Sequence, residues 1–372
     1  MIFLINSSFT IWLPIYSLSD SKYQSPLYKS LIVIECLLSL LALIFTLITS
    51  YIIITSRAFH RNLNNLIASI ISSWLLSLVS QLLVTPFITG FSLSLSLSSD
   101  SLEMGYHCWW TDDVAQMTPL LDARDVWPLF LGGFLAWYYM FIMVTCLFFM
   151  ALERSFASWF IRNYEKTSRS YIFLFLLISQ HLLCFLMSYI CYWNLVHFVP
   201  AIVFCIVICF SALVIMYLNR AYNLRLIRKI DEIQITQKHC DYTSLPARYQ
   251  AKENIRSFNL TIRVVIIGFL MILSAIFCII ILTYNWLPSL ETLLVYCMEN
   301  IIHLNPIVIC PLMIFSLKTW SRTLLNSKVD WIQKILNIDS KKMNKIGVAR
   351  EAKQETDAYF EQLARSWQMK KN

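Results

Sequence analysis

The sequence predicts an all-α membrane protein, a bundle of seven transmembrane helices with the N-terminus extracellular and the C-terminus cytoplasmic. Of the 372 residues, 58% are hydrophobic and only 14% are charged, whereas soluble domains carry about 25% charged residues. Seven stretches are apolar over the length of about 20 residues that a helix needs to cross a hydrocarbon core about 30 Å thick. A helix satisfies its own backbone hydrogen bonds, which lipid cannot do.

Three regions follow from these stretches: an N-terminal segment (1–30), a transmembrane domain (31–316) and a tail (317–372). The N-terminal segment has no basic n-region and no small-residue cleavage site, so we expect an uncleaved extracellular segment. Apolar residues near helical spacing in the tail predict an amphipathic helix on the inner leaflet (Trp320, Leu324, Trp331, Ile335). The predicted transmembrane helices are about 31–55, 66–91, 128–152, 171–193, 198–218, 264–286 and 291–316.

Lys and Arg predict the orientation of the bundle. Of the 30 basic residues, only 3 lie in the segments assigned to the outside, and the other 27 lie on the opposite side. Because cytoplasmic loops of membrane proteins carry the excess of Lys and Arg, this split predicts an extracellular N-terminus and a cytoplasmic tail.

Several functional classes find no support in the sequence. It has no C-x-x-C pair and no H-E-x-x-H motif, and its six His residues are scattered. We therefore expect no enzymatic activity, no metal, no cofactor and no nucleic-acid partner. The odd number of helices and the lack of an internal repeat disfavour a transporter built from two similar halves.

Glu153 and Arg154 stand at the predicted cytoplasmic end of helix 3, where rhodopsin-like receptors carry an acid–Arg pair. A carboxylate can hold the guanidinium in a resting receptor, and activation can release it to form directional hydrogen bonds with a G protein. The alternative is an interfacial Arg that extends to lipid phosphates.

The residues that follow resemble those of nematode serpentine chemoreceptors of class epsilon, the Sre family. The similar positions are Glu153, Arg154, Ala157, Ser158, Tyr164, Glu165, Ser168 and Arg169, and the segment from Asn6 to Tyr16 resembles the start of that family. The resemblance implies a chemosensory G-protein-coupled receptor for an external small-molecule or peptide cue. It also implies a heterotrimeric G protein as partner and a plasma-membrane location in the cilia of sensory neurons.

The sequence departs from ordinary rhodopsin-like receptors at several positions. Ser155 replaces the Tyr that usually follows the acid–Arg pair, helix 2 has no Asp for a sodium site, and helix 6 has no C-W-x-P hinge. Asn305 and Pro306 remain in helix 7 and predict a hinge, because Pro frees a carbonyl that Asn can satisfy. A passive kink is the alternative.

The third inner loop is the predicted contact surface for the G protein. Arg248, Lys252 and Arg256 recur at helical spacing and share one face of a helix. Such a face suits the docking of a G-protein helix, and it equally suits anionic lipids of the inner leaflet.

Four residues in the outer half of the bundle are candidates for cue binding. Glu299 and His303 are ionisable groups within a span, where such groups are costly and therefore often functional. Interhelical hydrogen bonds to Gln81, Gln180 or His181 are the alternative explanation. Trp137 and Tyr138 could line an apolar pocket, or they could simply pack.

Two further predictions concern the outer side. Cys108 lies in an outer loop and Cys191 near the outer end of helix 4, so a disulfide between them is a candidate in that oxidising compartment. Asn6 begins an N-x-S/T sequon and is a predicted glycosylation site.

Three functional classes compete at this point. The first is the chemosensory receptor, whose pairing into dimers is left open. The second is a ligand-gated channel subunit of the insect odorant-receptor type, which has its N-terminus on the opposite side. The third is a transporter or membrane enzyme.

Overall fold

A computed structural model describes residues 1–5, 9–18, 21–56, 58–90, 113–114, 117–120, 126–161, 170–236, 244–284 and 286–326. The strands in these ranges are β1 (Ile2–Ile5), β2 (Phe9–Trp12) and β3 (Thr118–Leu120). The α-helices are α1 (Pro26–Thr55), α2 (Arg61–Ser72), α3 (Trp74–Ile88), α4 (Trp127–Trp159), α5 (Ser170–Tyr192), α6 (Phe198–Thr236), α7 (Ser244–Thr283), α8 (Glu291–His303), α9 (Pro306–Ser316) and α10 (Lys318–Asn326).

The described residues contain seven helical spans that are long and apolar enough to cross a membrane, so the predicted seven-helix bundle is confirmed. We number them spans 1 to 7 in chain order; α2 and α3 together form span 2, and α8 and α9 form span 7. Large apolar side chains point away from the bundle: Leu182 and Phe210 are each 67% exposed. Such an apolar exterior is stable only against lipid.

Spans 3, 5 and 6 are longer than predicted. Helix α4 continues to Trp159, α6 continues to Thr236, and α7 already begins at Ser244. The prediction followed apolar runs only, whereas these helices extend into polar sequence because their polar side chains bond to one another across the bundle, as described below.

Helix α4 lies at the centre of the bundle and packs against α2, α3, α5, α6 and α7. Two glycines of α4 permit α3 and the N-terminal segment to pack closely against this helix. A Cβ atom at Gly132 would lie 2.6 Å from Cγ2 of Val84 in α3, and one at Gly133 would lie 2.5 Å from Cδ2 of Leu13. The Ser80 hydroxyl donates to the Gly132 carbonyl at 2.7 Å. A Cβ atom at either position would therefore force the Val84 or Leu13 side chain to shift.

A small sheet covers one end of the bundle, which we call the sheet end; the opposite end of α4 is the Arg154 end. Strand β1 pairs antiparallel with β2 and parallel with β3, in the order β2-β1-β3. The sequence did not indicate this sheet. Buried apolar residues of the N-terminal segment join those of spans 2 and 3 in one core (Phe3, Ile11, Leu13, Ile15, Val84, Phe87, Leu129, Phe130).

Of the described residues, 320–326 belong to a second unit, separate from Met1–Thr319. Helix α10 contains Trp320 and Leu324 of the predicted amphipathic helix. Trp331 and Ile335 lie outside the described residues, so the extent of that helix stays a prediction.

Candidate functional site

The Arg154 end contains a buried ion pair that joins spans 3 and 6. Arg154 Nε donates to Oε2 of Glu153 at 2.5 Å, and its Nη1 lies 3.4 Å from Oε1 of Glu253 in α7. Glu153 is fully buried, and Arg154 and Glu253 are only 6% and 9% exposed. The sequence predicts the first carboxylate, whereas the second lies in a segment whose sequence predicts an inner loop.

Asparagine and serine side chains extend this ion pair into a hydrogen-bonded network. Arg154 Nη1 donates to Oδ1 of Asn254 at 3.1 Å, and Asn254 Nδ2 donates to Ser158 and to Asn223. Asn223 Nδ2 also donates to Ser158, at 3.0 Å. We call the set the polar junction; its members are Glu153, Arg154, Ser158, Asn223, Glu253 and Asn254. It ties together the ends of spans 3, 5 and 6.

Span 2 also contacts the polar junction, through His60. The His60 backbone N–H donates to Oε1 of Glu253 at 2.7 Å, and its imidazole caps α2 by accepting from the Asn62 N–H at 3.4 Å. Burial lowers the pKa of His60, and the nearby carboxylates Glu153 and Glu253 act against this effect. Burial therefore favours the neutral imidazole, which matches its role as an acceptor.

The three predicted coupling residues on α7 lie close to the polar junction. Arg248 forms a partly exposed ion pair with Asp231 at 3.0 Å. Arg256 donates to Oγ1 of Thr319 at 3.1 Å, and the Lys252 side chain is exposed. All three are accessible to a partner or to lipid headgroups, and their role in coupling stays a prediction.

The predicted hinge coincides with a break in span 7. Helix α8 ends at His303 and α9 begins at Pro306. Because Pro306 has no N–H, the Ile302 carbonyl loses its helical partner. The hydroxyl of buried Tyr139 donates to this carbonyl at 3.3 Å, and Asn305 Nδ2 donates to the same hydroxyl at 2.9 Å. Tyr139, and not Asn305, therefore satisfies the freed carbonyl.

Replacing Tyr139 by Phe should lower the stability of the bundle by about 1 kcal/mol, because the Ile302 carbonyl and the Asn305 amide would lose their shared partner within the membrane. The measurement is thermal unfolding of the purified chain, followed by the reaction of buried cysteines such as Cys184 and Cys310 with a thiol-reactive dye. Tyr51→Phe is the control, since Tyr51 is 59% exposed. Equal midpoints for both variants would contradict the assigned role.

The four predicted cue-binding residues do not share one site. Glu299 and His303 line a cavity near the sheet end. Trp137 packs edge-to-face on Trp12 with ring centroids 4.6 Å apart, and its Nε1 donates to the Trp12 carbonyl at 2.8 Å. Tyr138 faces α5, where its hydroxyl lies 2.7 Å from Nδ1 of His181. Cue binding by these residues stays a prediction.

The cavity that Glu299 and His303 line has a volume of about 40 Å³ and extends beneath Pro14 and Ile15. His303 Nδ1 lies 2.6 Å from the Ser77 hydroxyl, a partner that the sequence did not suggest. Gln81, a proposed partner of Glu299, donates instead to Glu35. Glu35 is 9% exposed, and the sequence pattern gave no sign of its role because it lies near the end of span 1.

A second, larger cavity of about 690 Å³ opens at the sheet end. Its walls are almost entirely apolar and rich in aromatic rings (Ile5, Phe9, Ile11, Trp127, Phe130, Leu131, Phe134, Tyr192, Trp193). This volume is in the range of small-molecule sites.

Two outer-side predictions concern residues outside the described ranges. Cys191 is buried and Cys108 lies outside the described residues, so the disulfide stays a prediction. Asn6 also lies outside them, and its glycosylation stays a prediction.

Comparisons with known proteins agree with the resemblance seen in the sequence. A family model described as "Sre G protein-coupled chemoreceptor" matches residues 1–368. The chain is similar to serpentine receptor class epsilon-45 of Caenorhabditis elegans, with 32% identity over 99% of this chain and 100% of the relative. Class epsilon-38 of the same organism is 29% identical over 96% of this chain and 97% of its own length. No solved structure shows a significant match to the chain.

Proposed function

Because this chain belongs to the Sre family of G-protein-coupled chemoreceptors, we propose that it binds an external cue and in response activates a heterotrimeric G protein. The chain is a multi-pass membrane protein of a chemoreceptor family. In the proposal, the sheet end faces outward and binds the cue, and the Arg154 end faces the cytoplasm and binds the G protein. The excess of Lys and Arg around the Arg154 end supports this orientation.

The observation that carries the proposal is the buried contact of Arg154 with Glu253 across spans 3 and 6. In this arrangement Arg154 is inaccessible to a partner protein. Movement of span 6 away from span 3 would break the contact with Glu253 and release the guanidinium toward the cytoplasm. We therefore propose that this arrangement is the resting one and that separation of these two spans is the release step.

Cue binding at the sheet end has a direct mechanical connection to this step through span 3. Helix α4 carries Trp137 beneath the N-terminal segment, Tyr139 at the break of span 7, and Arg154 at the polar junction. A displacement of the N-terminal segment would change the packing of α4 at one end. We infer that α4 transmits this change to the polar junction at the other end.

The proposal is tested in cells that lack endogenous Gα subunits and receive them one at a time with the full chain. A panel of volatile and water-soluble chemicals is applied, and the separation of Gα from Gβγ is measured by resonance energy transfer. We expect at least one cue to cause separation, and only when a matching Gα is present. Cue-evoked currents that persist without any Gα would favour the ligand-gated channel instead.

For a responsive cue, Lys252→Ala combined with Arg256→Ala should lower the maximal response about fivefold or more and leave the cue concentration at half-response unchanged. The reason is that these side chains are exposed beside the polar junction, where a G-protein helix would dock. Lys29→Ala, which removes an exposed charge near the sheet end, is the control. Loss of response in the control, or full response in the double variant, would argue for a lipid-binding role of the basic face.

A further inference from the structure

The cavity near the sheet end contains two carboxyl groups, those of Glu35 in α1 and Glu299 in α8. They interact electrostatically with each other. Carboxyl groups are costly within a membrane span, so a pair of them facing one cavity requires an explanation.

Each of the two carboxyl groups is contacted mainly by hydrogen-bond donors. Gln81 Nε2 donates to Oε1 of Glu35, and Asn300 Nδ2 lies 3.5 Å from its Oε2. The backbone amide of Tyr16, in the N-terminal segment, is hydrogen-bonded to Glu299. Amide N–H donors stabilise the ionised form of a carboxyl group, whereas burial within the span opposes ionisation of both residues. A bound cation would supply the positive charge that offsets this cost.

No fixed positive charge balances these carboxylates at the cavity wall. Neither Lys nor Arg occurs among the described residues that line the cavity, and its one titratable nitrogen belongs to His303, which is bonded to Ser77. Gln81 Oε1 is buried without a hydrogen-bond partner among the described residues and adds a further acceptor oxygen. The cavity thus holds acceptor oxygens from three side chains, and no cationic side chain faces them among the described lining residues.

We propose that this cavity binds one monovalent cation of the size of sodium or ammonium, held by oxygens of Glu35, Gln81 and Glu299. The volume of about 40 Å³ holds an ion of this size, since a single water occupies about 10–15 Å³ on a comparable measure. A sodium ion and the ammonium group of a small external amine share the required chemistry. Entry of either from outside the cell rests on the orientation in the proposed function, whereas the binding itself does not.

The test uses the full chain, purified in lipid nanodiscs without any G protein. Thermal unfolding is followed by dye reaction with buried cysteines at constant ionic strength in sodium chloride, methylammonium chloride or choline chloride, whose cation is too large for the cavity. We expect a saturable rise of the unfolding midpoint in sodium or methylammonium relative to choline. Glu35→Gln and Glu299→Gln should each raise the half-saturating cation concentration about tenfold or more.

Glu291→Gln is the matched control, because it makes the same substitution in the first turn of the same helix, α8. This variant should keep the wild-type response. A response confined to sodium assigns an inorganic ion to the site, and a stronger response to methylammonium assigns an amine.

The absence of any cation-dependent rise in the wild type would overturn the proposal. So would a rise that both Glu→Gln variants leave unchanged. If the Glu35→Gln variant does not fold, the cation dependence of the unfolding midpoint in the Glu299→Gln variant decides the test. Because no signalling is measured, failure of this test and failure of the proposed receptor function remain distinguishable.

Discussion

Replacing Glu253 by Gln should raise cue-independent G-protein activation roughly five- to thirtyfold, which corresponds to a shift of about 1–2 kcal/mol between resting and active states. The substitution keeps the shape of the side chain and removes the charge that faces Arg154 Nη1. Glu153 still binds the guanidinium at 2.5 Å, so Arg154 keeps a charged partner and the receptor stays folded. The measurement is basal energy transfer between Gα and Gβγ at matched surface expression.

The control is Glu291→Gln, which removes a carboxylate at the opposite end of the bundle and should leave basal activation unchanged. Glu253→Asp should give an intermediate rise, because the shorter side chain keeps the charge and lengthens the contact. Basal activation at the wild-type level in Glu253→Gln would contradict the assignment of this contact to the resting state.

Replacing Arg154 by Ala should destabilise the protein by about 3–5 kcal/mol, because two buried carboxylates, Glu153 and Glu253, lose the cation between them. We expect a large fall in the unfolding midpoint measured by dye reaction with buried cysteines, and strongly reduced surface expression. Arg228→Ala removes the same charge from an exposed position on α6 and should change the free energy of unfolding by less than about 0.5 kcal/mol.

A double-mutant cycle separates the ion pair from a general packing defect. Glu153→Gln combined with Arg154→Ala leaves one fewer unpaired carboxylate, so the double variant should be more stable than Arg154→Ala alone by about 1 kcal/mol or more. Strictly additive losses from the two substitutions would show that the two side chains do not interact energetically.

Predictions from the sequence succeeded where a single physical property repeats along one segment. Apolar length predicted the seven spans. The contact of Arg154 with Glu153 was one of two alternatives that the dipeptide left open, the other being an interfacial Arg. Helix ends were predicted less well, since α6 and α7 extend into polar sequence. The reason is that Asn223 and Asn254 are stable in long helices only because they bond to each other across two spans, which no local pattern shows.

The candidate sites depend on contacts between residues far apart in the chain. Glu253 looked like one of many charges in an inner loop, and Glu35 looked like an ordinary charge near a helix end. Their partners lie 99 and 46 residues away, respectively, as Arg154 and Gln81. Tyr139 directly follows the candidate residues Trp137 and Tyr138, yet α4 directs it to the break in span 7 and directs Trp137 to the N-terminal segment.

The sequence by itself determined that the chain crosses the membrane as seven helices, because burial of apolar surface in lipid depends on composition and length within each segment. The motifs after helix 3 indicated a resemblance to a chemoreceptor family, and the family model over residues 1–368 established membership. Only the tertiary structure decided which polar groups meet: Arg154 with Glu253, Tyr139 with the carbonyl freed by Pro306, and Glu35 with Glu299 around one cavity. Within a low-dielectric bundle each such group needs a partner, and the packing of the helices selects which one it finds.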